Sequence, residues 1–131
     1  MFIFIKLFKC KGGGKMSYII FQNDKAFRHL VEKGFVYTLR AYNRKQGVVK
    51  LKRNKHGEDI GIVKVEHIGV VKKINSKYVV KMSNGETKNL EEFVKHSGFS
   101  SLYEWLCAFY KYYKKISVIK LYKVTLIELF L

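Results

Sequence analysis

The segment GFVYTLRAYNR, residues 34–44, brings a hydroxyl group and two guanidinium groups close together. Arg40 presents a planar fork of N–H donors that fits a phosphate group or the edge of a base, and Arg44 can extend it. Thr38 supplies a hydroxyl, which is a weak nucleophile unless an adjacent base activates it. These residue types predict the binding of phosphates and bases or, with a suitable base nearby, hydrolysis.

The alternation of side chains along a strand divides this segment into two faces. If Phe35, Tyr37 and Leu39 face a core, Thr38 and Arg40 lie on the opposite face, which we predict to be the site. The alternative is that Arg40 is structural, as an ion pair or as an anchor for a neighbouring loop. Ionic residues serve structure as often as sites, so the sequence leaves both roles open.

Basic and aromatic residues around the segment extend the predicted site. Lysine and arginine attract a phosphate backbone whatever its sequence, and exposed tyrosines stack on unpaired bases. The predicted nucleic-acid-binding residues are Tyr37, Thr38, Arg40, Tyr42, Arg44, Lys50, Lys52 and Arg53, with Tyr103 as a further aromatic candidate.

The charge of the chain favours a polyanionic partner. The 131 residues include 26 Lys and Arg against 10 Asp and Glu, a formal net charge of +16, whereas a small domain ordinarily carries a modest net charge. Two basic stretches contain no acidic residue, Lys33 to Lys55 and Lys111 to Lys123. They make one patch if the fold brings them together. The alternative is a lysine-rich composition with solvated lysines on all sides.

No metal site and no cofactor are predicted. Cys10 and Cys107 are far apart in the sequence and belong to no C-x-x-C or Cys/His pattern. The histidines are scattered, and an isolated histidine is more often solvated or packed in a core than a ligand. We interpret Cys107 as a small helix residue in a reducing compartment, so we expect the protein in the cytoplasm.

The beginning of the chain, MFIFIKLFKCKGGGKM, contains an apolar run that is too short to span a membrane. Positive charges follow the run instead of preceding it, so we expect no signal peptide and no membrane partner. The glycines before Met16 are what a ribosome-binding site would encode in frame, which makes Met16 a candidate native start. The predicted organisation is an extension over residues 1–15 and one domain over residues 16–131, as a monomer or weak homodimer.

Capping and turn signals predict the elements. A helix begins at Asn23 or Asp24 and ends at Gly34, and Asn89 and Ser101, each three residues before a glutamate, start two more. Asn84-Gly85 is the strongest turn signal. Strands are predicted over residues 18–21, 47–53, 60–71, 78–82 and 117–129, with a further strand through Thr38 and Arg40 in the segment 34–44. Their order predicts an α+β fold, a small closed or nearly closed β-barrel of about five to six mostly antiparallel strands with two to three flanking helices.

The helix after Ser101 carries the last group of aromatic residues. Leu102, Trp105, Phe109 and Tyr113 recur at helical spacing. Such a stripe is typical of a core-facing side, so we predict core packing here and not a base-stacking platform.

The order of elements from Tyr18 onward resembles the PUA-like fold in its ASCH-domain version. The resemblance is carried by VEKGFVYTLRAYNR, VKHSGFSSLYEWLCAFYKYY and ISVIKLYKVTLIEL. Its most telling pieces are Thr38-x-Arg40 after the first helix and the GFSS turn, residues 98–101, before the next. The resemblance implies a small β-barrel that binds nucleic acid, with RNA favoured over single-stranded DNA.

The same resemblance counts against catalysis. The ASCH pattern is written G-x-K-x-x-E-x-R. Aligned on Arg40, this chain has Lys33, Phe35 and Thr38 at the positions of the glycine, the lysine and the glutamate. Phenylalanine cannot supply a base, so we expect a binding protein without catalysis.

Two other classes remain open. Family members that resemble amidohydrolases are thought to use a lysine, a threonine and a glutamate, so a nucleobase-directed hydrolase would rely on Thr38 and Glu66, with Lys50 or Lys64 reaching the cleft. A dimerising or protein-interaction module would use an exposed apolar edge of the terminal strand, which ends in TLIELFL.

Overall fold

A computed structural model describes residues 17–113 and 118–130 of the chain. The predicted extension over residues 1–15 and the candidate start at Met16 lie outside the described residues. The strands are β1 (Tyr18–Ile20), β2 (Phe35–Arg40), β3 (Gly47–Lys52), β4 (Asp59–Ile74), β5 (Lys77–Met82), β6 (Thr87–Asn89) and β7 (Ile119–Leu129). The helices are α1 (Asp24–Lys33), a 3-10 helix (Leu90–His96) and α2 (Leu102–Tyr112).

Helix α1 begins and ends at the predicted residues. The side chain of Asn23 accepts hydrogen bonds from the backbone N–H groups of Lys25 and Ala26, at 2.9 and 3.1 Å. At the other end Gly34 has a φ of 85° and donates its N–H to Leu30. A glycine in this left-handed conformation is a common way to end a helix.

Helix α2 also has its predicted cap, Ser101. Glu104, however, accepts hydrogen bonds from Ser100 and Lys25 and not from the Ser101 N–H that a capping box would use. Ser101 accepts a hydrogen bond from the backbone N–H of Glu104 at 3.1 Å. The Glu104 carboxylate accepts from the Ser100 N–H and from Lys25 Nζ, at 3.3 and 2.9 Å, and so ties α2 to α1. Within residues 17–113 and 118–130, no helix has the length and apolar composition needed to cross a membrane.

All seven strands form one sheet around the long strand β4. On one side β4 pairs with β3 and then with β5, and on the other it pairs with β7. Strand β2 pairs with the other edge of β7, and β6 pairs with the other edge of β5. Strand β1 pairs with β3 in parallel. The α+β class and the mostly antiparallel sheet are confirmed.

The sheet is open, so the expectation of a closed barrel is wrong. The edge strands are β1, β2 and β6, and no two of them pair with each other among the described residues. Strand β7 does not close a barrel either, because it lies inside the sheet between β2 and β4 along residues 120–125. There its backbone is paired on both sides, whereas residues 128–129, within the TLIELFL end, pair only with β4.

Both faces of the sheet pack against helices. On one face α1 contributes Leu30 to a core that includes Val36 and Tyr122; on the other, α2 and the 3-10 helix pack Trp105 and Phe93 with other core residues. The predicted alternation along β2 is present, but the face opposite Leu39 is also a core: Thr38, in register with Tyr122, is only 8% exposed.

Candidate functional site

A cavity of about 240 Å³ lies where the end of β2 meets the beginning of α1 and one side of α2. Its lining combines basic, hydroxyl and aromatic side chains, among them Phe21, Tyr37, Thr38, Arg40, Arg44, Phe99, Trp105, Phe109, Tyr112 and Tyr113. The cavity therefore brings together four of the residues predicted to form the site.

Arg40 reaches the cavity from the last position of β2. Its Nε donates a hydrogen bond to Thr38 Oγ1 at 3.2 Å, and its guanidinium carbon lies 4.8 Å from the centroid of the Phe21 ring. Burial lowers the pKa of Arg40 to about 10; Tyr113 opposes this shift, and the positive charge of Arg44 adds to it. At neutral pH the guanidinium still carries its charge.

Arg44 is held in place by two tyrosines. Its backbone N–H donates to the buried Tyr122 hydroxyl at 2.8 Å, and its Nη2 donates to the Tyr113 hydroxyl at 3.2 Å. Its Nε is buried and has no hydrogen-bond partner within the described part of the chain. The backbone contact holds the loop without the side chain. The side chain therefore keeps one unused donor, Nε, for a ligand.

Positive charge in the cavity is not balanced by acidic side chains. Among the described residues, no aspartate or glutamate lines the cavity, and no ion pair involves Arg40 or Arg44. The fold also joins the two acid-free stretches, since Arg40 on β2 is in register with Lys120 on β7, and Lys120 donates a hydrogen bond to Asn43. An anion is the natural partner for such a surface.

Lys50 and Lys52, also predicted to bind nucleic acid, point to a carboxylate instead. Their Nζ atoms lie 3.2 and 3.1 Å from the Asp59 carboxylate, and Lys52 also donates to the carbonyl of Gly57 at 2.9 Å. Burial would raise the pKa of Asp59, but the hydrogen bonds from Lys52 and Lys50 outweigh it and lower that pKa. These lysines link β3 to β4 and lie outside the cavity lining.

Arg53 has the structural role that the sequence left open for Arg40. It donates to the backbone carbonyls of Phe21 and Gln22, at 2.9 and 3.3 Å, and to the Asp24 carboxylate. Its guanidinium carbon also lies 4.2 Å from the centroid of the Phe27 ring. Arg53 therefore positions the β1–α1 loop, whose residues line the cavity.

The three candidate tyrosines have different positions. Tyr37 lines the cavity and packs edge-on against Phe93, with 4.9 Å between ring centroids. Tyr42 is exposed outside the lining, but its ring centroid lies 5.9 Å from that of Tyr113, which does line it. Tyr103 is exposed on α2, apart from the cavity lining.

The residues of the hydrolase alternative do not meet. The Thr38 hydroxyl accepts a hydrogen bond from Arg40, and Glu66 is in register with Lys123, one position from the Tyr122 that pairs with Thr38. Neighbouring positions of a strand face opposite sides, so Glu66 lies across the sheet from Thr38. Among the described residues no lysine lines the cavity, neither Lys50 nor Lys64.

The aromatic wall on α2 was not predicted as part of the site. Trp105 and Phe109 are buried, which confirms the predicted core stripe, but both also line the cavity. Tyr112 and Tyr113 complete the wall at the end of the helix. The sequence feature that could have indicated this wall is the continuation of the aromatic helix stripe to Tyr113, next to a lysine-rich segment.

Comparisons of the chain with models of protein families, with curated proteins and with solved structures give no match. The resemblance to the ASCH version of the PUA-like fold stays a prediction from the quoted residues.

Proposed function

We propose that this protein binds single-stranded nucleic acid, RNA in preference to DNA, by taking an unpaired nucleotide into the cavity, and that it does so without catalysis. The observation that carries the proposal is the pair Arg40 and Arg44 in an aromatic-walled cavity that no described acidic residue lines. Arginine binds phosphate and base edges through its planar fork, and aromatic rings stack on unpaired bases.

The dimensions of the cavity limit the enclosed part of the ligand to no more than one nucleotide. Pockets for drug-sized molecules measure roughly 300–1,000 Å³, and this one measures about 240 Å³. A duplex keeps its bases stacked inside and cannot present one without the energetic cost of unstacking, so an unpaired strand is the better partner. Exposed Tyr42, beside Tyr113, is placed for stacking on a flanking base.

A titration of fluorescently labelled RNA tests the proposal. A single strand should bind more tightly than a duplex of the same sequence. Arg44→Gln should weaken binding about tenfold or more, since a hydrogen bond between charged groups contributes roughly 1.5–3 kcal/mol. The variant keeps the backbone N–H that donates to the Tyr122 hydroxyl, so the loop stays anchored.

The matched control is Lys45→Gln, which removes the same charge from an adjacent exposed residue outside the cavity lining. This change should reduce the affinity only slightly, as expected for one solvated charge. Equal losses in the two variants, or no binding of the single strand at low salt, would contradict the proposal.

A further inference from the structure

The two arginines of the cavity hold more positive charge than one internal phosphate can neutralise. Arg40 and Arg44 interact with each other, since the charge of Arg44 lowers the pKa of Arg40. Both line a cavity in which no described carboxylate faces them. An internal phosphodiester carries one negative charge, whereas a terminal phosphate carries about 1.5 to 2 at pH 7.

Resting on the proposed nucleotide binding at this site, we propose that the preferred ligand is a nucleoside phosphomonoester: a nucleotide with a terminal phosphate and not one inside a chain. The monoester matches the charge of the two guanidinium groups. It also offers three acceptor oxygens, one more than the two non-bridging oxygens of a diester.

The hydrogen-bonding state of the arginines agrees with this ligand. Arg40 uses Nε for Thr38 and also interacts with Tyr113, so part of its fork of N–H donors remains for a ligand. Arg44 uses Nη2 for Tyr113, while its buried Nε has no partner among the described residues. Several donors on two side chains can thus converge on one phosphate group, the arrangement in which arginine binds phosphate most strongly.

The rest of the cavity fits the nucleoside. One face of Phe21 is covered by the Arg40 guanidinium, so stacking on the base falls to other rings of the wall. Tyr112 is 56% exposed at the cavity, and Trp105 is buried in its lining. The chain contains one tryptophan, so its fluorescence reports on this cavity without labelling.

The same chemistry is found in a free mononucleotide and in the phosphorylated end of a nucleic acid. The first measurement is a titration of Trp105 fluorescence with the four ribonucleoside 5′-monophosphates and 3′-monophosphates, each against the 3′,5′-cyclic monophosphate of the same base. The cyclic compound retains base, ribose and phosphate but is a diester with a single charge. At least one monoester should bind about tenfold or more tightly than its cyclic counterpart, and Arg44→Gln should remove most of this difference.

The pH dependence gives a second readout on the same ligands. The second pKa of a phosphate monoester is about 6, so its advantage over the cyclic diester should shrink as the pH falls from 7.5 to 5.5. The diester has no ionisation in this range and therefore corrects for any pH effect on the protein. An advantage that is absent at pH 7.5, or that does not change with pH, would overturn the inference.

The second measurement compares one RNA strand with a 5′-phosphate, a 3′-phosphate or hydroxyl groups at both ends. Tighter binding of a phosphorylated strand supports the inference and identifies a nucleic-acid end as the source. Binding of the monophosphates without binding of any strand supports the phosphomonoester and overturns the proposed function. Equal binding of all three strands, together with equal binding of monoesters and diesters, overturns the inference and leaves the proposed function standing.

Discussion

Arg40 and Arg53 lie in the same acid-free stretch of the sequence, yet they have different hydrogen-bond partners in the folded protein. Arg53 donates to two backbone carbonyls and to Asp24, so its hydrogen bonds hold a loop. Arg40 donates from Nε to Thr38, interacts with Tyr113 and faces a cavity. The two residues are of the same type, and it is their long-range partners that distinguish their roles.

The first prediction concerns Arg40→Lys, which retains the charge and loses the planar fork. If Arg40 binds the ligand, affinity for single-stranded RNA should fall by about 1–3 kcal/mol, the value of a good bidentate contact, while the melting temperature changes little. Fluorescence anisotropy and thermal unfolding measure the two quantities.

The control for this prediction is Lys72→Ala, a change at an exposed residue outside the cavity lining, which should affect neither quantity strongly. A lower melting temperature of Arg40→Lys with unchanged affinity would assign the arginine to the fold and move the binding surface elsewhere.

The second prediction concerns Thr38. Because no described lysine lines the cavity and Glu66 lies across the sheet, we expect no hydrolysis of acylated cytidines by this protein. Product formation is checked by chromatography of the reaction, with Thr38→Ala beside the wild type. Turnover that disappears in Thr38→Ala would restore the hydrolase alternative.

Among the elements, the turn between the 3-10 helix and α2 depends on one glycine. Gly98 has a φ of +91°, and a Cβ atom there would lie 2.5 Å from the carbonyl oxygen of Lys25. The turn is therefore pressed against the first turn of α1. This contact places Phe99, the next residue, in the lining of the cavity.

The third prediction compares Gly98→Ala with Gly34→Ala. Gly34 has a similar φ of +85°, but a Cβ atom added to it would meet no other atom within 4 Å, so alanine there should cost only about 1–2 kcal/mol for the left-handed backbone. Gly98→Ala should cost about 1–3 kcal/mol more, because the added methyl group overpacks the contact with α1. Urea unfolding of both variants measures the difference, and equal free energies of unfolding would show that the turn can move away from α1.

A histidine pair joins α1 to the 3-10 helix. His29 Nε2 lies 3.2 Å from His96 Nδ1, and burial lowers the pKa of His29, with further lowering by His96 and Lys33 against an opposing effect of Glu32. The folded protein thus releases the His29 proton more readily than the unfolded chain does. The contribution of neutral His29 to the free energy of unfolding is therefore complete above the unfolded pKa of about 6.5. It is lost as the pH falls from that value towards the lower pKa of the folded protein.

The fourth prediction follows from this sign. The melting temperature of the wild type should fall between pH 7.5 and pH 5.5, and His29→Gln should show a smaller fall. His67 contributes with the same sign, because burial and then Lys120 lower its pKa, so the difference between variant and wild type isolates His29. His56→Gln, at an exposed histidine, should follow the wild type; identical pH dependence in all three proteins would contradict the role of the pair.

The caps of the two α-helices could be predicted from the sequence, and the long-range partners of the site residues could not. Asn23, Gly34 and Ser101 cap helices through hydrogen bonds within four residues, so short patterns determine them. The cavity depends instead on contacts such as that of Arg44 with Tyr113, which are 69 residues apart. The burial of Thr38 likewise follows from the packing of α1 over β2, which no alternation along one strand reveals.

At the scale of the whole molecule, net charge determines how binding responds to salt. With a formal charge of +16, the protein should neutralise several phosphates and release their counterions. The fifth prediction is that log K for single-stranded RNA falls with log salt concentration, by roughly 0.7 for each phosphate contacted. Titrations at several salt concentrations give the slope. A flat dependence would indicate that the lysines are solvated on all sides and contact no backbone.

The interior position of β7 affects how the chain acquires its fold. This strand comes last in the described sequence but supplies pairing partners to both β2 and β4. Strand β2, which carries Arg40, therefore has no neighbouring strand until residues 120–125 are available. Pairings of such large sequence separation make folding slow, because the entropy of closing the loop is lost before the contacts form. On the ribosome, β2 therefore lacks its pairing partner until β7 has emerged, and its apolar residues stay exposed to aggregation during this interval.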